Sequence, residues 1–257
     1  MAENETPAGP PSLIVDDVHV HYRTYGGRRG HRLRGHVGAV DVVRAVRGVS
    51  FVARHGESIG VIGHNGSGKS TLLRAIAGAL PTASGAIWTH GSAALLGVSA
   101  ALMSNLSGER NIVLGGLALG LTRREVDERF DEVVDFAGIG DFLQLPMRAY
   151  SSGMGSRLRF AISSASRPDI LLIDEALSTG DAEFKARSRD RVDEIRAHAG
   201  TVLLVSHSMS TIRSMCDRVL WVDHGRLRLD GPMDEVLEAY AEATGRPVAR
   251  PVPRRAS

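Results

Sequence analysis

Gly63-His64-Asn65-Gly66-Ser67-Gly68-Lys69-Ser70, followed by Thr71, combines turn-forming glycines, hydroxyls and one ammonium in a short stretch. An apolar run, Ile59-Gly60-Val61-Ile62, precedes it, and a helix is expected over 71–79. Strand, glycine-rich loop and helix in that order suit a polyphosphate. The loop amides can turn inward onto phosphate oxygens, and the helix N-terminus adds partial positive charge. Lys69 supplies a full charge for the outer phosphates, and Ser70 places a hydroxyl where Mg²⁺ would sit. The ligand this chemistry points to is a nucleoside triphosphate with Mg²⁺. Two acids, Asp174 and Glu175, end the apolar run Ile170-Leu171-Leu172-Ile173. At the carboxyl edge of a sheet they could meet the loop, with Asp174 holding Mg²⁺ and Glu175 deprotonating the attacking water. His207 ends another apolar run and is placed to contact a γ-phosphate. Ser151-Ser152-Gly153 opens a helix with free amides, a second anion site of the same kind.

These residues need elements to hold them. Leu13-Ile14-Val15 and 18–22 read as one strand, ending at Tyr22, which could stack on a base or simply pack on its neighbours. Residues 45–53 read as a second strand, and 86–88 and 93–96 as short ones. The run 170–175, apolar up to its two terminal acids, and the run 201–205 read as strands of a parallel sheet covered on both faces. From about residue 102 the pattern turns helical. Thr122 and Glu125 form a capping box, and Val126, Phe130, Val133, Val134 and Ala137 share one helix face. Another helix starts near Ser152, and an amphipathic one covers 184–199. A short helix spans 209–216, Asp223-His224-Gly225 turns a hairpin, and a last helix covers 232–244.

The chain has 257 residues, 43% of them hydrophobic, so it can bury a sizeable core. A net charge of +2 does not argue for nucleic acid. Nearly all positive charge is arginine, only Lys69 and Lys185 being lysine. The single cysteine, Cys216, excludes an internal disulfide or a thiolate cluster. Residues 1–11 read as a disordered leader without signal-peptide character, and 246–257 as a basic flexible tail. The Gly/Arg/His-rich segment 24–40 reads as a solvated loop, or as a basic patch for phosphates or lipid head groups. No apolar run approaches membrane-spanning length.

Together these motifs resemble the nucleotide-binding subunit of ABC transporters over nearly the whole chain. Residues 63–70 look like the Walker A motif and 170–175 like Walker B with its catalytic acid. Tyr150-Ser151-Ser152-Gly153-Met154 stands where the family's LSGGQ signature falls, with Ser152 and Met154 replacing Gly and Gln. Ser178-Thr179-Gly180-Asp181 has D-loop spacing, His207 stands at the switch histidine and Tyr22 at the adenine-stacking aromatic. The family's Q-loop glutamine is missing between 94 and 106, where Ser99 stands closest as a metal contact. The resemblance implies an α/β P-loop NTPase fold with a RecA-like core, an antiparallel β subdomain and an inserted helical subdomain at about 100–165, the whole domain covering 12–245.

The stretches Leu95-Leu96-Gly97, Leu106-Ser107-Gly108-Glu109-Arg110-Asn111, 150–161 and 174–181 resemble the ATPases of polysaccharide, O-antigen and teichoic-acid exporters. A galactan exporter of the mycobacterial cell wall fits this pattern. Some members carry a C-terminal carbohydrate-binding domain, which is not expected in this chain. The resemblance implies a homodimer, each ATP held between one copy's loop and the other's Ser151-Ser152-Gly153. It implies a transmembrane permease moving a polyprenyl-pyrophosphate-linked glycan, with the ATPase at the cytoplasmic face of the membrane. Two other readings compete: a soluble ABC-type ATPase of translation or DNA repair, and a small-molecule kinase.

Overall fold

A computed structural model of the chain describes residues 9–25, 40–96, 102–174 and 182–245. The segment 26–39, Ser99, Glu175, Asp181, most of the expected leader and the tail lie outside the described residues. In chain order the elements are β1 (Pro11–Tyr25), β2 (Val40–Arg54), β3 (Ser58–Ile62), α1 (Lys69–Ile76), β4 (Ser84–Thr89) and β5 (Ala93–Leu96). A block of helices follows: α2 (Gly108–Ala118), α3 (Arg123–Ala137) and α4 (Ser152–Ser164). The chain then returns through β6 (Ile170–Ile173), α5 (Ala182–His198), β7 (Thr201–Val205), α6 (Met209–Met215), β8 (Arg218–Asp223), β9 (Arg226–Pro232) and α7 (Met233–Thr244).

Two sheets result. One is antiparallel, in the order β2-β1-β4. The other runs β5-β6-β7-β3-β8-β9, parallel except for the β8–β9 hairpin. Alternation divides the parallel strands between two cores. Ile170, Leu172, Leu203 and Val205 face the antiparallel sheet and α1, where they meet Leu13, Val20, Leu72 and Leu73. Leu171, Ile173, Val202 and Leu204 face the opposite side, with Ile195, Ile212 and Leu237 from α5, α6 and α7. Both faces of β6 and β7 are therefore buried, which is why their sequences are apolar throughout. Each buried leucine of this kind contributes roughly 1.5–3 kcal/mol.

The helical block has its own core of Ile112, Val133, Ala137, Ile139, Leu158 and Ile162. The Thr122–Glu125 capping box is formed, and Gly138 ends α3 in the left-handed conformation (φ 62°). An aromatic triad ties the block to α5: Phe136 and Phe160 stack at 5.7 Å, and Phe184 meets both edge-on. Cys216 is buried, and burial pushes its thiol up to about 12.

Several boundaries differ from the sequence reading. The strand begins at Pro11, inside the expected leader, because the Pro10 carbonyl accepts from His55 N–H at 3.0 Å and pins the chain to the next strand. The α1 helix spans 69–76 rather than 71–79: Gly68 caps its start and Gly78 (φ 70°) turns the chain away. Residues 102–107 form a turn rather than helix, because buried Asn111 binds the carbonyls of Met103, Leu106 and Ser107 and the amide of Met103.

Candidate functional site

The parallel sheet explains where the candidate residues go. The β3 strand lies between β7 and β8, and β6 adjoins β7. The carboxyl ends of β3, β6 and β7 thus deliver the glycine-rich loop, Asp174 and His207 to one edge. An open cleft of about 620 Å³ forms there, lined by residues 65–71 with Ala45, Asp174, Val205 and His207.

The loop is shaped by close backbone approach. At Gly63 a Cβ would strike the Val222 carbonyl, and at Gly68 (φ 106°) it would strike the Ala45 carbonyl. Only glycine fits either place. The Gly225 N–H donates to the Ser67 carbonyl at 2.8 Å, so the β8–β9 turn braces the loop. The buried Lys69 ammonium donates to the carbonyls of Gly63 (2.8 Å) and His64 (2.9 Å), which holds it across the loop. Gly68 offers α1 no side-chain cap. The fully buried Ser67 hydroxyl has no hydrogen-bond partner among the described residues. Uncapped amides, a lysine and an orphan hydroxyl make an anion cradle.

Ser70 and the buried Asp174 line the same cleft and offer hard oxygen donors, the set that suits Mg²⁺. His207 is exposed at the rim. Tyr22 lies beside α1, its hydroxyl 3.2 Å from that of Thr71.

Residues 46–178, over half the chain, match the family model described as ABC transporter. The chain belongs to the ABC transporter family. It is 44% identical over 200 residues to the teichoic acids export ATP-binding protein TagH of Levilactobacillus brevis, covering 78% of this chain and 55% of that one. It is 40% identical over 200 residues to the O-antigen export system ATP-binding protein RfbB of Klebsiella pneumoniae, covering 77% and 81%. These relatives are named as ATP-binding proteins of teichoic-acid and O-antigen export. This ABC chain spans about half the length of the teichoic-acid relatives it matches. The fold is that of a solved ATP-binding subunit of an ABC transporter (TM-score 0.65, 24% identity, 93% of this chain and 95% of that one). It is also that of the ATP-binding cassette MJ0796, solved as a dimer with ADP and Pi (TM-score 0.63, 18% identity, covering 86% and 98%).

Within this ABC chain, Ser151, Ser152 and Gly153 stand apart from the cleft. They begin α4 in the helical block, and none of them lines the cleft. Ser151 caps its own helix, accepting from Met154 N–H at 3.1 Å, and Ser151 and Ser152 are exposed. The structure also brings to the loop residues that the sequence did not flag. Ala45 lines the cleft, and the Asp223-His224-Gly225 turn docks on the loop. The hairpin itself was legible as turn chemistry; its docking is a contact between residues about 160 positions apart. His64, expected as part of the loop, turns its ring toward Asp223 rather than lining the cleft.

Proposed function

We propose that this chain binds MgATP in the cleft, hydrolyses it as half of a homodimer, and powers export of a polyprenyl-linked glycan through separate permease subunits. The observation that carries the reading is the convergence of the Lys69 loop, Asp174 and His207 on one cleft while Ser151-Ser152-Gly153 sits outside it. A second copy placed head to tail would bring its exposed α4 N-terminus to the open side of this cleft.

In this reading residues 63–71 cradle the triphosphate, and Lys69 leaves its carbonyl partners for the outer phosphates. Ser70 and Asp174 would hold Mg²⁺, which when bound neutralises phosphate charge. Glu175 orients and deprotonates the attacking water, His207 contacts the γ-phosphate, and Tyr22 stacks on the adenine. Asp181 contributes to nucleotide binding, and Ser99 contacts Mg²⁺ in place of the absent glutamine. Positioning and electrostatics carry phosphoryl transfer of this kind.

Support for a membrane partner comes from the surface. No described helix is long and apolar enough to cross a membrane. Met103, Leu114, Leu117, Phe142 and Leu145, all in the helical block, are large apolar side chains left in water. Among the described residues five of the ten exposed large apolar side chains lie there, the others being on β2, β4 and β9, and such exposure suits a docking face on the block. The names of the relatives favour a glycan, teichoic acid and O-antigen being exported by theirs; the specific proposal here is a cell-wall galactan, with teichoic acid as the second reading.

Glu175→Gln tests the catalytic half. It should retain ATP binding, lower turnover at least 10²-fold, and give a long-lived ATP-bound dimer by size exclusion. Wild-type turnover would remove Glu175 from the role of base. Cells depleted of the chain should accumulate polyprenyl-linked glycan on the cytoplasmic side; unchanged export would sink the transport reading.

A further inference from the structure

On the flank of the phosphate loop, away from the cleft lining, three metal-ligating side chains meet. His64 comes from the loop, and Asp223 and His224 from the β8–β9 turn; their donor atoms all lie within 4.8 Å of one another. The His64 ring is oriented by its own backbone. Its Nδ1 lies 2.7 Å from the Asn65 carbonyl, which can only accept, so Nδ1 carries the proton. In the neutral ring Nε2 then presents a lone pair, and it faces a carboxylate oxygen, Asp223 Oδ1, at 3.2 Å. Two such atoms at that distance are satisfied either by a second ring proton or by a shared metal ion.

The third donor completes the set. His224 Nε2 lies 3.9 Å from the same oxygen, and the two imidazole rings are 4.6 Å apart. Donors around a four-coordinate zinc ion are separated by ~3.3 Å, given Zn–N bonds near 2.0–2.1 Å. The His64–Asp223 spacing of 3.2 Å matches that separation, and the His224–Asp223 spacing of 3.9 Å lies above it. The other carboxylate oxygen, Asp223 Oδ2, faces Arg228 at 3.4 Å, and Arg228 rests over the Trp221 ring. That outer contact leaves Oδ1 turned toward the histidines, the way second-shell groups orient a ligand. His224 also adopts a left-handed backbone (φ 47°) that few residues other than glycine take. Both histidines are exposed, so an ion has a path in.

We propose that His64, Asp223 and His224 form a binding site for a borderline divalent transition-metal ion of the zinc class. Two imidazoles and one carboxylate select such ions over Mg²⁺, which prefers oxygen donors. The ion would clamp the β8–β9 turn onto the phosphate loop, adding to the Gly225–Ser67 hydrogen bond. The site is separate from the Ser70–Asp174 pair and does not depend on the transport reading.

The test uses the full untagged chain titrated with Co²⁺, whose visible absorption reports the donor set, followed by Zn²⁺ displacement. One Co²⁺ should bind per chain, yield to Zn²⁺, and resist a large excess of Mg²⁺. His224→Ala and, separately, Asp223→Asn should each weaken binding at least about tenfold, with circular dichroism confirming the fold. Because the chain has ten histidines, binding by His224→Ala as tight as wild type would place the ion elsewhere and overturn the site. Absence of any Co²⁺ or Zn²⁺ binding would overturn it too, leaving His64 and Asp223 as an ordinary ion pair. Loss of Co²⁺ binding in His224→Ala with ATP turnover retained would support a site distinct from the nucleotide cleft.

Discussion

The starts of α1 and α4 are built from the same residue types but treated oppositely by the fold. Both are Ser/Gly-rich helix N-termini with no acidic residue in the first turn. At α1 the cap is glycine, no side chain satisfies the amides, and the loop before it is braced by β2 and by the β8–β9 turn. At α4 the cap is Ser151, whose own hydroxyl accepts from Met154, and the surroundings are solvent. The first end keeps its donors available and adds a lysine; the second satisfies part of its need locally and stands apart from the cleft. A helix N-terminus alone is therefore a weak signal for a site. What distinguishes α1 is the convergence of other chain segments upon it.

Substitutions can break or sharpen that contrast. The largest effect is expected from Lys69→Ala, which should lower ATP affinity on the order of 10³-fold by calorimetry, the loss expected for truncating one partner of a buried charge pair. An affinity within threefold of wild type would mean that α1 is not the triphosphate end. Next, Gly68→Ala should destabilise the chain by about 3 kcal/mol in urea titration, since it combines a left-handed backbone with a clash. Gly153→Ala is its matched control. A Cβ there meets nothing closer than the Ser151 hydroxyl at 3.8 Å, so stability should hold or rise by up to about 1 kcal/mol. Equal losses at the two glycines would erase the contrast. Smallest is Ser151→Ala, which removes the α4 cap and should cost about 1 kcal/mol. A loss near zero would mean that the Ser151–Met154 bond seen here contributes little in water.

The fold was legible where local chemistry and long-range packing agree. The Thr122–Glu125 box, the β5 and β7 boundaries and the period of α3 follow from side-chain rules that act within a few residues. The meeting of the glycine-rich loop with Asp174 could be read because glycine, lysine and a strand end are each demanded by a separate physical need. The start of α1 was misplaced by two residues because Gly68 takes a left-handed cap that only the Ala45 carbonyl, far off in sequence, makes visible. The bracing turn was missed as part of the site for the same reason. Asp223 and His224 look like hairpin residues until β8 is set beside β3, with Trp221 paired to Ile62, so that both strands end at the loop.

The buried cysteine has a practical corollary. Burial pushes the Cys216 thiol up to about 12, so it stays protonated at pH 7. The chain thus arrives chemically blank toward maleimides and disulfide exchange. A thiol engineered at Ser152, on the exposed α4 start, would be the sole reactive handle, and a second at the rim of the cleft would report by cross-linking how two copies face each other.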